Sequence, residues 1–312
     1  MTQKNTATHS HKRRRGISRA ELPLHLMLIP GIVIIFIFHY IPLGGLVIAF
    51  QRFIPAKGLF GNQKWVGLQN FEYIFSMPNT MNVLTNTVVI AGAKIVLNLI
   101  IPITVALMLN ELQSSKLKRT VQTVIYFPHF LSWIIFGSII MDLLSPQNVI
   151  VNKLLGALGT DPIFFLGDNR YFRQTIIWTD IWKNFGYGTV VYMASITSID
   201  PTLYEAGRVD GASRWQMLWR ITLPCLAPTI CIMLILQCGR LMSLGYEKIY
   251  LMQNDLNIAA SEVISTYVYK SGLINAEYSF STAVGLFNSV INCILLFTVN
   301  FITGKLSDTR IF

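Results

Sequence analysis

Four stretches of the chain carry no Asp, Glu, Lys or Arg: His25 to Gln51, Thr120 to Met141, Ile221 to Gly239 and Tyr278 to Gly304. Each approaches or exceeds the roughly twenty apolar residues that a helix needs to cross the hydrocarbon core of a bilayer. Two further apolar stretches are interrupted. Asn79 to Asn110 contains Lys94, and Phe172 to Ile199 contains Asp180 and Lys183. The pattern predicts six transmembrane helices, over residues 24–50, 83–109, 121–144, 174–199, 223–244 and 282–303. A basic tail, 1–21, precedes a single membrane domain, 22–312, and a polar loop, 200–222, joins the fourth and fifth spans. Backbone polar groups in lipid must be paired internally, which selects helices, and the apolar runs are too long and uniform for barrel strands. Pro30, Pro42, Pro102, Pro128 and Pro228 fall within or near these spans, where they can kink a helix.

Composition agrees with that reading. Hydrophobic residues make up 53% of the chain and charged residues 13%, against about a quarter charged in a soluble domain. The net charge of +10 raises nucleic acid as a partner, but the placement of the cations argues against it. The tail (Lys12, Arg13, Arg14 and Arg15 among others), the second and fourth loops and the C-terminus are richer in Lys and Arg than the alternate loops. The positive-inside rule then places both termini in the cytoplasm. The tail lacks the small-residue cleavage site of a secretory signal, so it reads as the cytoplasmic flank of a retained helix. Cys225, Cys231, Cys238 and Cys293 all sit in apolar stretches without metal-ligand spacing and read as small buried hydrophobes.

The fourth loop is short and densely patterned. Asp200-Pro201 is a helix start, with Asp capping free amides and Pro fitting the first turn. Leu203, Tyr204, Ala206, Val209 and Ala212 recur at roughly helical spacing, and Trp215, Leu218, Trp219 and Ile221 continue an apolar stripe. The small residues Ala206, Gly207, Gly211 and Ala212 admit another backbone closely, and Glu205, Arg208 and Asp210 can orient it. An amphipathic helix lying in the headgroup layer fits the same pattern.

The series Glu205-Ala206-Gly207, three residues, Gly211, nine residues, Ile221-x-Leu223-Pro224 resembles the signature of binding-protein-dependent permeases of ATP-binding-cassette importers. Gly207 stands where that signature usually has Ala, a change that weakens a helix by ~1 kcal/mol. Asn110-Glu111-Leu112, Tyr126-Phe127-Pro128-His129-Phe130-Leu131-Ser132-Trp133, Ile181-Trp182-Lys183-Asn184-Phe185-Gly186 and Glu262-Val263-Ile264-Ser265-Thr266-Tyr267-Val268-Tyr269 resemble the oligosaccharide and polysaccharide subgroup. The resemblance implies an all-α integral membrane protein with six spans, both termini cytoplasmic, and a MetI-like permease fold with a cytoplasmic coupling helix, in the bacterial cell membrane. It implies a second, homologous permease, two separate ATPase subunits that bind ATP and Mg²⁺, an extracytoplasmic solute-binding protein and a carbohydrate substrate. Glu205, Ala206, Gly207, Arg208, Asp210, Gly211, Trp215, Ile221, Leu223 and Pro224 would couple the chain to an ATPase, with Trp215 and Ile221 fastening the helix Pro201 to Ser213 to its own spans.

No cofactor, metal or catalytic group is expected on this chain. Gly304-Lys305 is followed by Leu306 and lacks the upstream glycine of a phosphate loop. Sugar sites use aromatic faces with a few polar groups, and the spans offer Tyr126, His129, Trp133, Trp182, Asn184, Tyr187 and Tyr192. Charges inside spans are costly unless paired or facing water. Asp180 and Lys183, three residues apart, can pair with each other. Lys94 and Arg240 lack an acidic neighbour along the chain and are candidates to line the path, where they would favour an acidic sugar. The competing readings are an importer permease for peptides or amino acids and a secondary transporter. The latter often shows inverted repeats, which are not evident in this sequence.

Overall fold

The computed structural model describes residues 22–59, 61–77, 79–146, 150–159, 161–239 and 245–306. The basic tail and Arg240 lie outside the described residues. The chain divides into two compact units between Val47 and Ile48. The first holds all but the last three residues of helix α1 (Pro23–Phe50), whose regular α-geometry gives way to a π-turn at Phe36–Tyr40 just before Pro42.

In the second unit, strands β1 (Gln51–Arg52) and β2 (Lys64–Trp65) form a short antiparallel pair followed by helix α2 (Gln69–Ser76). Helix α3 (Thr80–Glu111) runs without a break through both Lys94 and Pro102. Lys94 is accommodated within it because its ammonium finds a carboxylate on a neighbouring helix. The reverse holds for residues 121–144, expected as one span. Helices α4 (Ser115–Tyr126) and α5 (Trp133–Leu144) meet across the short 3-10 turn Phe127–Phe130 at a bend of 104°. Pro128 cannot donate to the helical ladder, Leu131 is extended, and Ser132 restarts the helix by accepting the Ile135 N–H at 3.2 Å.

Helix α6 (Ile150–Ala157) leads to α7 (Asn169–Thr197), the most deeply buried long helix. Asp168 caps α7 by accepting the Arg170 N–H at 2.8 Å. A short helix, α8 (Pro201–Val209), precedes α9 (Arg214–Cys238). After it come α10 (Tyr246–Met252), α11 (Ile258–Ser261), α12 (Ile264–Tyr269) and the closing helix α13 (Tyr278–Leu306). Among the described residues, α1, α3, α9 and α13 are long and apolar enough to cross a membrane, and the bent α4–α5 pair makes up to five. Helix α7 is long enough, but its polar face keeps it out of that set.

The residues from Gly245 to Ser281, between the fifth and sixth predicted spans, pack into the core. Ile249, Met252, Val263 and Ile264 are buried. Ile249, Met252 and Val263 join Ile90, Phe136, Phe172, Ile176 and Ile181 in one core. Asn86 of α3 donates to the carbonyls of Ala259 and Glu262, each at 2.9 Å, and Asn257 donates to Leu166 and Met252. Buried amides thus satisfy the irregular backbone that such a segment leaves unpaired.

Helix α7 is approached closely from two sides through glycines. A Cβ on Gly188 would lie 2.9 Å from the Pro102 ring, and one on Gly186 would fall on the Ile125 carbonyl oxygen. Alanine at 186 would gain about 1 kcal/mol of helix propensity, but the obstructing atom is backbone and cannot rotate away. Gly186→Ala is therefore expected to destabilise by about 1–3 kcal/mol net of that gain, measured as a lowered unfolding temperature of the purified protein. An unchanged or raised temperature would show that α4 and α7 separate freely.

Candidate functional site

One face of α3 presents Ala91, Lys94, Ile95, Asn98 and Pro102, and one face of α7 presents Asp180, Asn184, Tyr187 and Gly188. These spacings of three and four repeat along a single helical stripe. With His129 and Trp133 from the elbow, Met233, Leu236 and Gln237 from α9, and Gly245 and Lys248, they enclose a cleft of about 460 Å³.

Its charges are arranged around a single carboxylate. Lys94 Nζ lies 3.1 Å from Asp180 Oδ1, and Lys248 Nζ contacts the same oxygen. Asn98 Nδ2 donates to Asp180 Oδ2 at 3.3 Å, and Gln237 donates to the Asn98 carbonyl at 3.4 Å. Asp180 does not pair with Lys183, as its spacing had predicted. Each finds its partners on other segments. Lys183 Nζ instead donates to the carbonyls of Leu131, His129 and Pro128 at 2.6, 2.9 and 3.2 Å. Those carbonyls belong to the elbow between α4 and α5, so the ammonium ties the elbow to a second helix. Lys183 and Lys248 also approach the Trp133 ring, at 5.2 and 5.0 Å from its centroid.

The aromatic candidates separate. His129 stacks on Tyr187 at 4.8 Å with a 13° interplanar angle, and Tyr126 stacks on His129 at 5.7 Å. His129, Trp133, Asn184, Tyr187 and Lys94 line the cleft, and Tyr126 backs it. Trp182 and Tyr192 do not line it. The Trp182 ring packs edge-on to Phe136 and is half-exposed, whereas Tyr192 is fully buried in a core with Ala106, Leu109 and Leu226. Lys248, Asn98 and Gln237 were not anticipated. Asn98 follows Lys94 by one helical turn, a spacing that could have found it. Lys248 carried no local signal, because its segment reads as a loop.

The second candidate surface is the segment from Asp200 to Pro224. Asp200 accepts the Thr202 N–H at 2.9 Å, and the Thr202 backbone and hydroxyl hold its carboxyl below the ordinary range. The helix was expected to reach Ser213 but stops at Val209. Gly211 adopts φ +71°, with Gly211 N–H bonded to the Arg208 carbonyl at 3.1 Å and Ala212 N–H to the Gly207 carbonyl at 2.9 Å. This is a Schellman closure with glycine in the left-handed position. A capping box at Ser213 and Gln216 then opens α9.

Two contacts hold α8 against the start of α9. Tyr204 Oη lies 3.0 Å from Thr222 Oγ1, and a Cβ on Gly207 would sit 3.2 Å from Ile221 Cδ1. Ile221 thus meets α8 at Gly207, whereas Trp215 is turned to solvent. It is 71% exposed on the outer face, because the turn at Gly211 and Ala212 rotates it away from α8. Leu203, Val209 and Trp219 are exposed as well, and Glu205, Arg208 and Asp210 stand in solvent. Leu223 and Pro224 form the first turn of the regular α-helix in α9. Arg214 Nη1 lies 3.5 Å from Glu111 Oε2, a solvent-exposed pair of little energetic consequence.

Residues 98–308 match the family model described as the binding-protein-dependent transport system inner membrane component. The chain is 40% identical to protein LplB of Bacillus subtilis over 93% of this chain and 91% of that protein. It is 39% identical to the polygalacturonan/rhamnogalacturonan transport system permease protein YteP of the same organism, over 93% and 90%. Among solved structures, a chain of a bacterial alginate transporter in complex with an alginate-pentasaccharide-bound periplasmic protein superposes with a TM-score of 0.86. It shares 36% identity over 94% of this chain and 98% of that one.

Proposed function

The chain belongs to the family of binding-protein-dependent transport system inner membrane components, and from that premise we propose how this permease component of a sugar or polysaccharide importer works. Its helical, MetI-like fold crosses the bilayer six times: the four long apolar helices, the bent α4–α5 pair, and α7, whose polar face turns toward the cleft instead of lipid. Both termini and α8 face the cytoplasm. The chain pairs with a second, homologous permease, and the cleft between α3, α7 and α9 is its share of the translocation path. The stacked Tyr126, His129 and Tyr187 rings and Trp133 offer apolar faces to sugar rings, and Asn98, Asn184 and Gln237 offer hydrogen bonds. A binding protein delivers substrate from outside. Separate ATPase subunits bind ATP and Mg²⁺, and α8 docks into one of them. ATP can drive the rigid-body switch between inward- and outward-facing states only by binding one of them more tightly.

The observation that carries this reading is the state of α8. It is capped at both ends and tied to α9 by Tyr204 and Ile221, yet it holds Leu203 and Val209 out to solvent, Val209 at 88% exposure. A partner covers such residues. Affinity-tagged wild-type chain is expected to retain its ATPase through purification, and Val209→Asp to lose at least tenfold of it. Desolvating an unpaired carboxylate costs more than the ~1.4 kcal/mol that a factor of ten represents. Undiminished recovery of the ATPase with Val209→Asp would overturn the docking role of this helix.

A further inference from the structure

The cleft contains two ammonium groups and one carboxylate. Among the described residues, Asp180 is the only acidic side chain within ion-pair distance of Lys94 or Lys248. Both lysines bear on the same oxygen of Asp180, and its other oxygen is taken by Asn98. The single carboxylate is thus saturated while one positive charge stays uncompensated. The two lysines are not equivalent. The Lys248 side chain is 2% exposed, enclosed between Asp180 and the Trp133 ring, whereas that of Lys94 is 17% exposed and opens into the cleft. Lys183 adds a third cation behind the wall, spent on three backbone carbonyls.

A surplus cation in a narrow cleft with low-dielectric walls concentrates anions and excludes cations. Keeping one there is costly unless something compensates it. We propose that Lys94, with Asp180 and Lys248 fixing its position, is a carboxylate-binding site for an acidic saccharide, one whose sugar rings bear uronate groups. Asp180 shows how that group is held, since a carboxylate already occupies the far side of the same ammonium pair. The passing uronate takes the N–H groups that Lys94 turns to the cleft, while the rings of His129 and Tyr187 face the sugar. Binding is a single-point charge contact, and not the bidentate fork an arginine would make. That suits a path, where each carboxylate must also let go. The inference rests on the reading of the cleft as a sugar path.

The test uses the complete importer, with its companion permease, ATPases and binding protein, in proteoliposomes. Uptake of tetragalacturonate is compared with uptake of its carboxyl-reduced, neutral counterpart. The readout is the ratio of the two, which does not depend on how much folded complex each variant yields. Wild type is expected to favour the uronate at least tenfold. Lys94→Gln keeps the length and a donor but removes the charge, and should lower the ratio about tenfold. Lys94→Arg should restore most of it. A ratio unchanged by Lys94→Gln, or a wild type that takes up both probes equally, would overturn the carboxylate site and leave the sugar path standing. Uptake of neither probe, with neither stimulating ATP turnover, would remove both.

Discussion

Asp180→Leu is expected to cost about 3–5 kcal/mol of stability, the penalty for leaving buried charge without its partner. The isosteric loss is small, but the substitution strips the counter-ion from two ammonium groups at once. Lys248 suffers most, because its side chain is 2% exposed and cannot reach water. The measurement is thermal unfolding of the purified complex, and it contains its own control. Asp180→Leu combined with Lys248→Met removes the more deeply buried ammonium with the carboxylate and should recover more than half the loss. Asp180→Leu combined with Lys94→Met leaves Lys248 stranded and should recover less. Equal recovery in the two double variants would mean that the lysines share the burden evenly. An Asp180→Leu protein as stable as wild type would mean that the cluster is solvated.

Gly211→Trp is expected to abolish substrate-stimulated ATP turnover while the protein remains inserted, whereas Gly211→Asn should keep turnover within about threefold of wild type. The reason is conformational. Gly211 holds φ +71°, and a Cβ there would meet no atom within 4 Å, so space within the chain is not the limit. Left-handed backbone costs an ordinary L-residue roughly 1–2 kcal/mol, and Asn tolerates it far better. A bulky residue would relieve that strain by opening the last turn of α8 and breaking the Ala212-to-Gly207 bond. Loss of turnover in Gly211→Asn as complete as in Gly211→Trp would shift the explanation to close packing against the ATPase.

The membrane class, the positions of the long helices and the start of α8 were legible in the sequence because each rests on a local pattern: an uncharged run, an Asp-Pro cap, a turn of small residues. The bend at Phe130–Trp133 was not, because a proline in an apolar run marks either a kink or a break. What marks it is Lys183, more than fifty residues away in sequence, which donates to three carbonyls of the elbow. The charged cluster was read half correctly. Lys94 and Asp180 stood out as charges in spans, but the partner of each came from a different segment, and helical spacing gives no hint of that. Lys248 was hidden because a segment with scattered charges and short helices looks like a solvated loop. It is buried amides, Asn86 and Asn257, that fold it inward.

The three carbonyls gripped by Lys183 have a mechanical corollary. The elbow between α4 and α5 has only a short 3-10 turn of its own, and Lys183 ties that turn to α7. Helix α7 runs on for fourteen residues beyond Lys183, to Thr197, and three residues later the chain reaches Asp200, the cap of α8. At ~1.5 Å per residue, that stretch of α7 is a strut of about 21 Å joining α8, the lever of the proposed docking, to the wall of the cleft. A push on the lever would arrive at the elbow as a translation of His129 and Trp133, with little lost to bending. Pulling and gripping would then be one motion seen from its two ends.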